Sequence, residues 1–354
     1  MLRAILLLVL IGSISLSAWN LFQIVQNPAV SALIDRSQSE LTANMNRELA
    51  KAATPDRIKE RLETLMQEDP TPWLAITAVQ DVAKFRKIPI PSDLSDAIQT
   101  EYDLDHGFLQ TSGKCISCGW DASNCELSAI LLCRAPVDLT PVGDITGVIR
   151  ESGNYALGRD VDKIDLTLSA IGLGATAIAP ATGGSSLAIK LGASTLKTTK
   201  KIGNLSPGLS RMLTRSADEA IDWQNLSKSG VRDFPDTLRK SVNIDALTPV
   251  TDTLKSAGDI RGSTSVVETL HLMKYLDTSQ DAARTARISN ALGPRTVSAF
   301  EVVGKSRLLR SSLRYSDEMI GAILSAIAAV FALIWLILSA LVTRATRAAL
   351  RRTS

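Results

Sequence analysis

The sequence predicts a mostly α fold: a multi-helix domain held at a membrane by a C-terminal transmembrane helix and an N-terminal anchor or signal helix. Three observations predict it. The chain is 45% hydrophobic but only 4% aromatic, so its core must be built from Leu, Ile, Ala and Val, a helix-prone set. Helix-start signals recur through the middle of the chain, with no run of alternating strand residues between them. Two uncharged stretches, 4–25 and 319–342, have the length a helix needs to cross a bilayer.

The first element is the stretch from Ala4 to Val25, preceded by Arg3. Two readings stay open. Apolar residues continue through Leu21, Phe22, Ile24 and Val25, as in a retained anchor. Ser15 and Ser17 also stand at −3 and −1 of a signal-peptide cut before Ala18. In either case the positive charge ahead of the segment keeps the amino end in the cytoplasm. At the other end, Met319 to Val342 is followed by Arg344, Arg347, Arg351 and Arg352 with no acid. That tail is expected to stay cytoplasmic, although Arg307, Arg310 and Arg314 stand on the opposite flank and oppose the rule. The bulk of the chain is then extracytoplasmic, in the periplasm if the source is bacterial.

Charge follows the same division. No Asp or Glu precedes Asp35 or follows Glu318, and five of the 39 basic residues lie in those ends. The rest are slightly outnumbered by the 36 acids, a balance without the basic stripe that nucleic acid requires.

Between the membrane segments the expected order is an N-terminal helical region (26–110), a cysteine-stapled module (111–228) and a C-terminal helical region (229–318). Residues 28–52 read as one helix with Val30, Leu33, Ile34, Leu41, Met45 and Leu49 on its apolar side. Helices are expected after Thr54-Pro55, Thr71-Pro72, Thr140-Pro141, Ser206-Pro207 and Thr248-Pro249, where Ser or Thr caps and Pro suits the first turn. A capping box occurs at Ser265 and Glu268. Apolar faces follow: Ile58, Leu62, Leu65 and Met66, then Ile76, Val79 and Val82. Residues 87–93, 106–114 and 229–243 read as loops.

All four cysteines, Cys115, Cys118, Cys125 and Cys133, fall within nineteen residues. In an oxidising compartment an even count favours disulfides. Ser123 and Glu126 start a short helix that carries Cys125 and Cys133 roughly 12 Å apart, too far to pair with each other. Each should pair with the loop Cys115–Cys118. The preferred connectivity is 115–133 with 118–125, and the alternative is 115–125 with 118–133. Redox thiols and a zinc knuckle are the competing readings. The first lacks a βαβ setting and the second lacks a second closely spaced ligand pair.

The segment 164–207 is rich in Gly, Ala, Ser and Thr and uncharged from Leu166 to Ile189. Helices over 168–179 and 185–199 are expected to turn at Pro180, Gly183 and Gly184, with Gly172 and Gly174 permitting close helix approach. The hairpin is read as a buried core element or as one able to insert into a membrane. It lacks the strand and the Lys-Ser/Thr of a phosphate loop.

With "DLTPVGDI" upstream (Asp138, Pro141, Gly143, Asp144), the Gly/Ala-rich hairpin and the Lys-rich exit, residues 138–205 resemble the pre-toxin region of bacterial polymorphic toxins. The resemblance covers about 70 residues. It implies a shared helical module associated with secretion or membrane passage. No toxin domain follows here, so toxicity does not carry over.

No catalytic motif is present: no Gly-x-Ser-x-Gly, no His-Glu-x-x-His and no Walker loop. The two histidines, His106 and His271, are isolated in sequence and read as surface or core residues. No cofactor or metal is expected. The partners expected are the membrane and other envelope proteins. The leading expectation is a structural or interaction role in the cell envelope. The alternatives are an export-associated effector with a membrane-active hairpin and a thiol–disulfide oxidoreductase.

Overall fold

The computed structural model describes residues 28–120, 125, 127, 162–178, 185–222, 243 and 245–312. These residues are predominantly helical and contain no strand. One compact unit spans Thr42–Leu309, and a second takes in 28–41 and 310–312. No described helix is long and apolar enough to cross a membrane. The segments expected to do so, 4–25 and 319–342, lie outside the described residues, as does 229–242 of the third expected loop.

Helix α1 (Pro28–Ala52) has the predicted bounds and buries Met45 and Leu49. α2 (Pro55–Leu65) starts at its predicted cap, where Thr54 Oγ1 accepts from the Arg57 N–H at 3.3 Å. Its inner face is Ile58, Leu62 and Leu65. α3 (Trp73–Arg86) begins one residue later than Thr71-Pro72 predicts: Pro72 occupies the cap position and Thr71 supplies no side-chain cap. Ile76, Val79 and Val82 are buried as expected. The loop predicted at 87–93 opens with Lys87 in the left-handed region and yields to α4 (Ser92–Asp105).

The loop predicted at 106–114 is mostly helix. α5 (Phe108–Trp120) runs through it and through Cys115 and Cys118. Gly107 and Gly113 make the stretch look like a loop, but one glycine costs a helix only about 1 kcal/mol, which tertiary packing overrides.

The hairpin forms as α6 (Lys163–Ile178) and α7 (Ser185–Lys201), packed against each other. α6 starts five residues before the predicted 168 because Asp162 Oδ1 caps the Asp165 N–H at 3.0 Å. α8 (Pro207–Ala220) is capped by Ser206, which accepts from the Leu209 N–H at 3.0 Å. α9 (Thr248–Ser263) follows a 3-10 turn at Asp245–Leu247, so Thr248 lies inside the helix and does not cap it. Ser265 and Glu268 form both bonds of the predicted capping box and start α10 (Val266–Leu272). α11 (Ser279–Leu292) and α12 (Thr296–Val303) complete the set, and Gly304 leads into a helical run over 305–312.

Two layers of contact organise the unit. α7 packs between α6 and α9, and α9 packs on α11. α12 packs on α3, which also covers α2. The α7–α9 crossing is backbone to backbone. A Cβ on Gly192 would lie 1.8 Å from the Leu254 carbonyl oxygen, and one on Gly258 would lie 2.1 Å from that of Ala188. The pairs 188–258 and 192–254 run in opposite directions, so the helices cross antiparallel with one glycine each.

Hydroxyls in this core bond back to their own helices. Thr195, Thr199, Thr253 and Ser256 donate to carbonyls four residues earlier at 2.7–2.8 Å. That pairs these four buried hydroxyls, whereas Thr285 Oγ1 and Ser289 Oγ of α11 are buried without a hydrogen-bond partner among the described residues.

Candidate functional site

The cysteine module is a covalent joint. Cys118 on α5 pairs with Cys125, with the sulfurs 2.01 Å apart and the Cα atoms 4.5 Å apart. This is the short pairing of the preferred connectivity. Cys115 is also disulfide-bonded. Cys133, its partner in that connectivity, lies outside the described residues, as do Ser123, Glu126 and the helix expected to start there. The Cys118–Cys125 bridge is buried against Leu270 of α10, with Leu127, Ile202, Val266 and Val267 around it.

Of the hairpin positions, Gly172 is a buried residue of α6 and Gly174 lies further along the same helix. Pro180, Gly183 and Gly184 lie outside the described residues. Lys197, in the Lys-rich exit of the hairpin, reaches back through the buried interior to donate to Ser169 Oγ at 2.9 Å. Lys200 takes the ion pair with Asp162.

The densest polar site in the described structure is one that sequence reasoning missed. It centres on Glu301 of α12, whose side chain is fully buried. Glu301 Oε1 accepts from His271 Nε2 and from the Tyr275 hydroxyl, both at 2.6 Å, and lies 3.4 Å from Lys274 Nζ. Oε2 accepts from Arg61 Nε at 3.1 Å and Nη2 at 2.5 Å. Local structure explains the convergence. His271 lies in the last turn of α10 and Tyr275 stands four residues on, in the following 3-10 turn, so both face the same way. Arg61 projects from α2 beside the buried Leu62.

Electrostatics fixes the protonation states. Burial opposes ionisation of Glu301, but hydrogen bonds from His271 and Tyr275 and the charge of Lys274 outweigh it and hold the carboxyl well below its ordinary range. Burial pushes His271 below its ordinary value, only partly countered by its bond to Glu301. Burial and the Glu301 charge drive the Tyr275 phenol far upward. Burial works against the Arg61 charge, yet the Glu301 contacts raise its pKa overall. Neutral His271 therefore donates Nε2–H to an ionised carboxylate whose lone pairs are all engaged. A carboxylate so saturated holds helices together and is not free to abstract a proton.

Beside the hub opens a cleft of about 350 Å³. Arg57, Glu60, Arg61 and Thr64 of α2 form one wall, and Tyr275, Phe300, Gly304 and Lys305 face them, with Glu301 at the floor. The other histidine, His106, is exposed and stacks on Tyr102 with ring centres 3.9 Å apart. Among the described residues no cluster of His, Cys, Asp or Glu has the arrangement to hold a metal ion.

Two signals in the sequence point to the hub in retrospect. Glu301 is the lone charge in the apolar run "TVSAFEVV", and His271 and Tyr275 share helical spacing. No family model, curated protein or solved structure matches the chain.

Proposed function

We propose that the chain is a membrane-anchored, extracytoplasmic helical protein with a structural or interaction role in the cell envelope. The observation that carries this reading is the buried Cys118–Cys125 disulfide, in a chain with two uncharged, arginine-flanked segments, 4–25 and 319–342. Such bonds persist in oxidising compartments and are rare in the cytosol. The sulfur of Cys118 is joined to Cys125 and not to Cys115, and the buried bridge packs against α10. That arrangement favours a brace over a Cys-x-x-Cys redox couple, which needs an accessible thiolate. The glycine-locked crossing of α7 on α9 favours the core-hairpin reading over the membrane-inserting one.

Reporter fusion after Ser354 tests the reading. A fluorescent protein that folds only in the cytoplasm should be bright there, and alkaline phosphatase should be inactive. Active phosphatase at that position would invert the topology and sink the proposal.

A further inference from the structure

We propose that the cleft between α2 and the Gly304–Lys305 corner binds a small oxyanion, a phosphate or carboxylate, through Arg57, Arg61 and Lys305. The inference is independent of the membrane topology and rests on which hydrogen-bonding groups remain unspent. On the acceptor side, Glu301 is used up by His271, Tyr275 and Arg61. On the donor side there is a surplus. A guanidinium carries five N–H groups and an ammonium three. Arg57 commits Nε to the Val302 carbonyl at 3.4 Å and Nη1 to Glu60 at 3.3 Å, and its Nη2 makes no hydrogen bond among the described residues. Arg61 commits Nε and Nη2 to Glu301, while Nη1 stands 3.9 Å from Glu68, beyond hydrogen-bond distance. Lys305 commits one N–H to Asp277 and a second to Asp281 at 3.1 Å, which leaves one of its three.

The remaining valences at the cleft are therefore N–H groups on three cations, while Glu60 at the rim is paired with Arg57. Planar guanidinium forks match carboxylate and phosphate oxygens. The volume of about 350 Å³ admits a small ligand and no more. The cations are held in place beforehand: Arg61 by the buried carboxylate and Lys305 by its two aspartates. Little side-chain entropy is lost on binding.

The test is a titration of the full-length protein in detergent with inorganic phosphate, against chloride at matched ionic strength, reading the thermal unfolding midpoint. Ligand that binds only the native state raises the midpoint progressively with concentration. Phosphate should raise it with the logarithm of its concentration once above the dissociation constant, and chloride should not. Arg57→Gln lies at the exposed rim, outside the buried hub, and should weaken phosphate by about tenfold, the scale of one charge-assisted hydrogen bond. Glu60→Gln should act in the opposite direction and tighten binding, which a purely structural role for this rim does not predict. A wild-type response to phosphate no larger than to chloride, or an unchanged response in Arg57→Gln, overturns the proposal. A lipid headgroup offers the same chemistry as the free ion. Competition by phosphatidylglycerol in mixed micelles would assign the site to a headgroup, and absence of competition to a soluble anion.

Discussion

At the scale of single residues, Glu301 is where the molecule is most sensitive. Four side chains from three segments converge on one buried carboxylate. Removing one member of a buried ion pair strands the others in a poorly solvated place. Glu301→Ala should therefore cost about 3–5 kcal/mol, read from urea unfolding. The pH dependence has a definite sign. His271 has a folded-state pKa below its unfolded one, so the folded protein prefers the neutral ring. Its contribution is fully present above the unfolded value near 6.5 and is lost as pH falls from there toward the folded value. Glu301, also depressed, gives up its contribution at lower pH, as acidification proceeds from the ordinary carboxylate range down through its folded value. The chain has only two histidines, so a variant at 271 isolates the contribution of His271 to the upper window. His271→Gln keeps an N–H donor for Glu301 and cannot titrate. Its stability should change less than wild type between about pH 7.5 and 5.5, and parallel profiles would refute the assignment.

At the scale of elements, the α7–α9 crossing sets the geometry of the core. Alanine normally favours a helix over glycine by about 1 kcal/mol. At Gly192 and Gly258 the added Cβ would sit inside the van der Waals radius of a facing backbone carbonyl, which cannot swing aside as a side-chain tip can. Either substitution should instead destabilise by about 1–3 kcal/mol or more. Gly262, on the same α9, faces no atom within 4 Å of a built Cβ. Gly262→Ala should stabilise by about 0.4–1 kcal/mol, so denaturant midpoints of the three variants separate packing from propensity. The contrast also marks what was legible in the sequence. Caps are local, and Thr54, Ser206 and the Ser265–Glu268 box stand where residue type and spacing put them. The two hairpin helices were legible because Pro180, Gly183 and Gly184 interrupt an uncharged segment rich in Gly, Ala, Ser and Thr, although those three residues lie outside the described ones. The point of closest helix approach was not: the sequence drew attention to Gly172 and Gly174, while the locked crossing falls at Gly192 and Gly258. Which glycine meets a neighbouring backbone depends on an element more than 50 residues away. The hub was hidden for the same reason, since Arg61 and Glu301 are 240 residues apart.

At the scale of the whole molecule, the compact unit is closed by contacts between its beginning and its end. Thr42 donates to the Ala291 carbonyl at 3.0 Å, Arg295 donates to Asn46 Oδ1 at 3.1 Å, and Arg61 pairs with Glu301. The cysteine joint enters the same body, because Leu270 of α10 packs on the Cys118–Cys125 bridge and His271, the next residue, binds Glu301. A brace placed there cannot loosen by itself. Opening the bridge frees α10 to shift, and α10 carries His271, one of the hydrogen-bond donors to the buried carboxylate. Closing a loop of this length is worth about 2–3 kcal/mol through the unfolded state. Reduction of the full chain under native conditions should therefore lower the urea midpoint while keeping a single transition, seen alike by far-ultraviolet circular dichroism and tryptophan fluorescence. Amide exchange across α10 and α12 should accelerate together. A cysteine module that stood apart from the rest would give a different record. The reduced protein would melt in two steps, α12 would keep its protection, and the energetic link between the bridge and Glu301 would not exist.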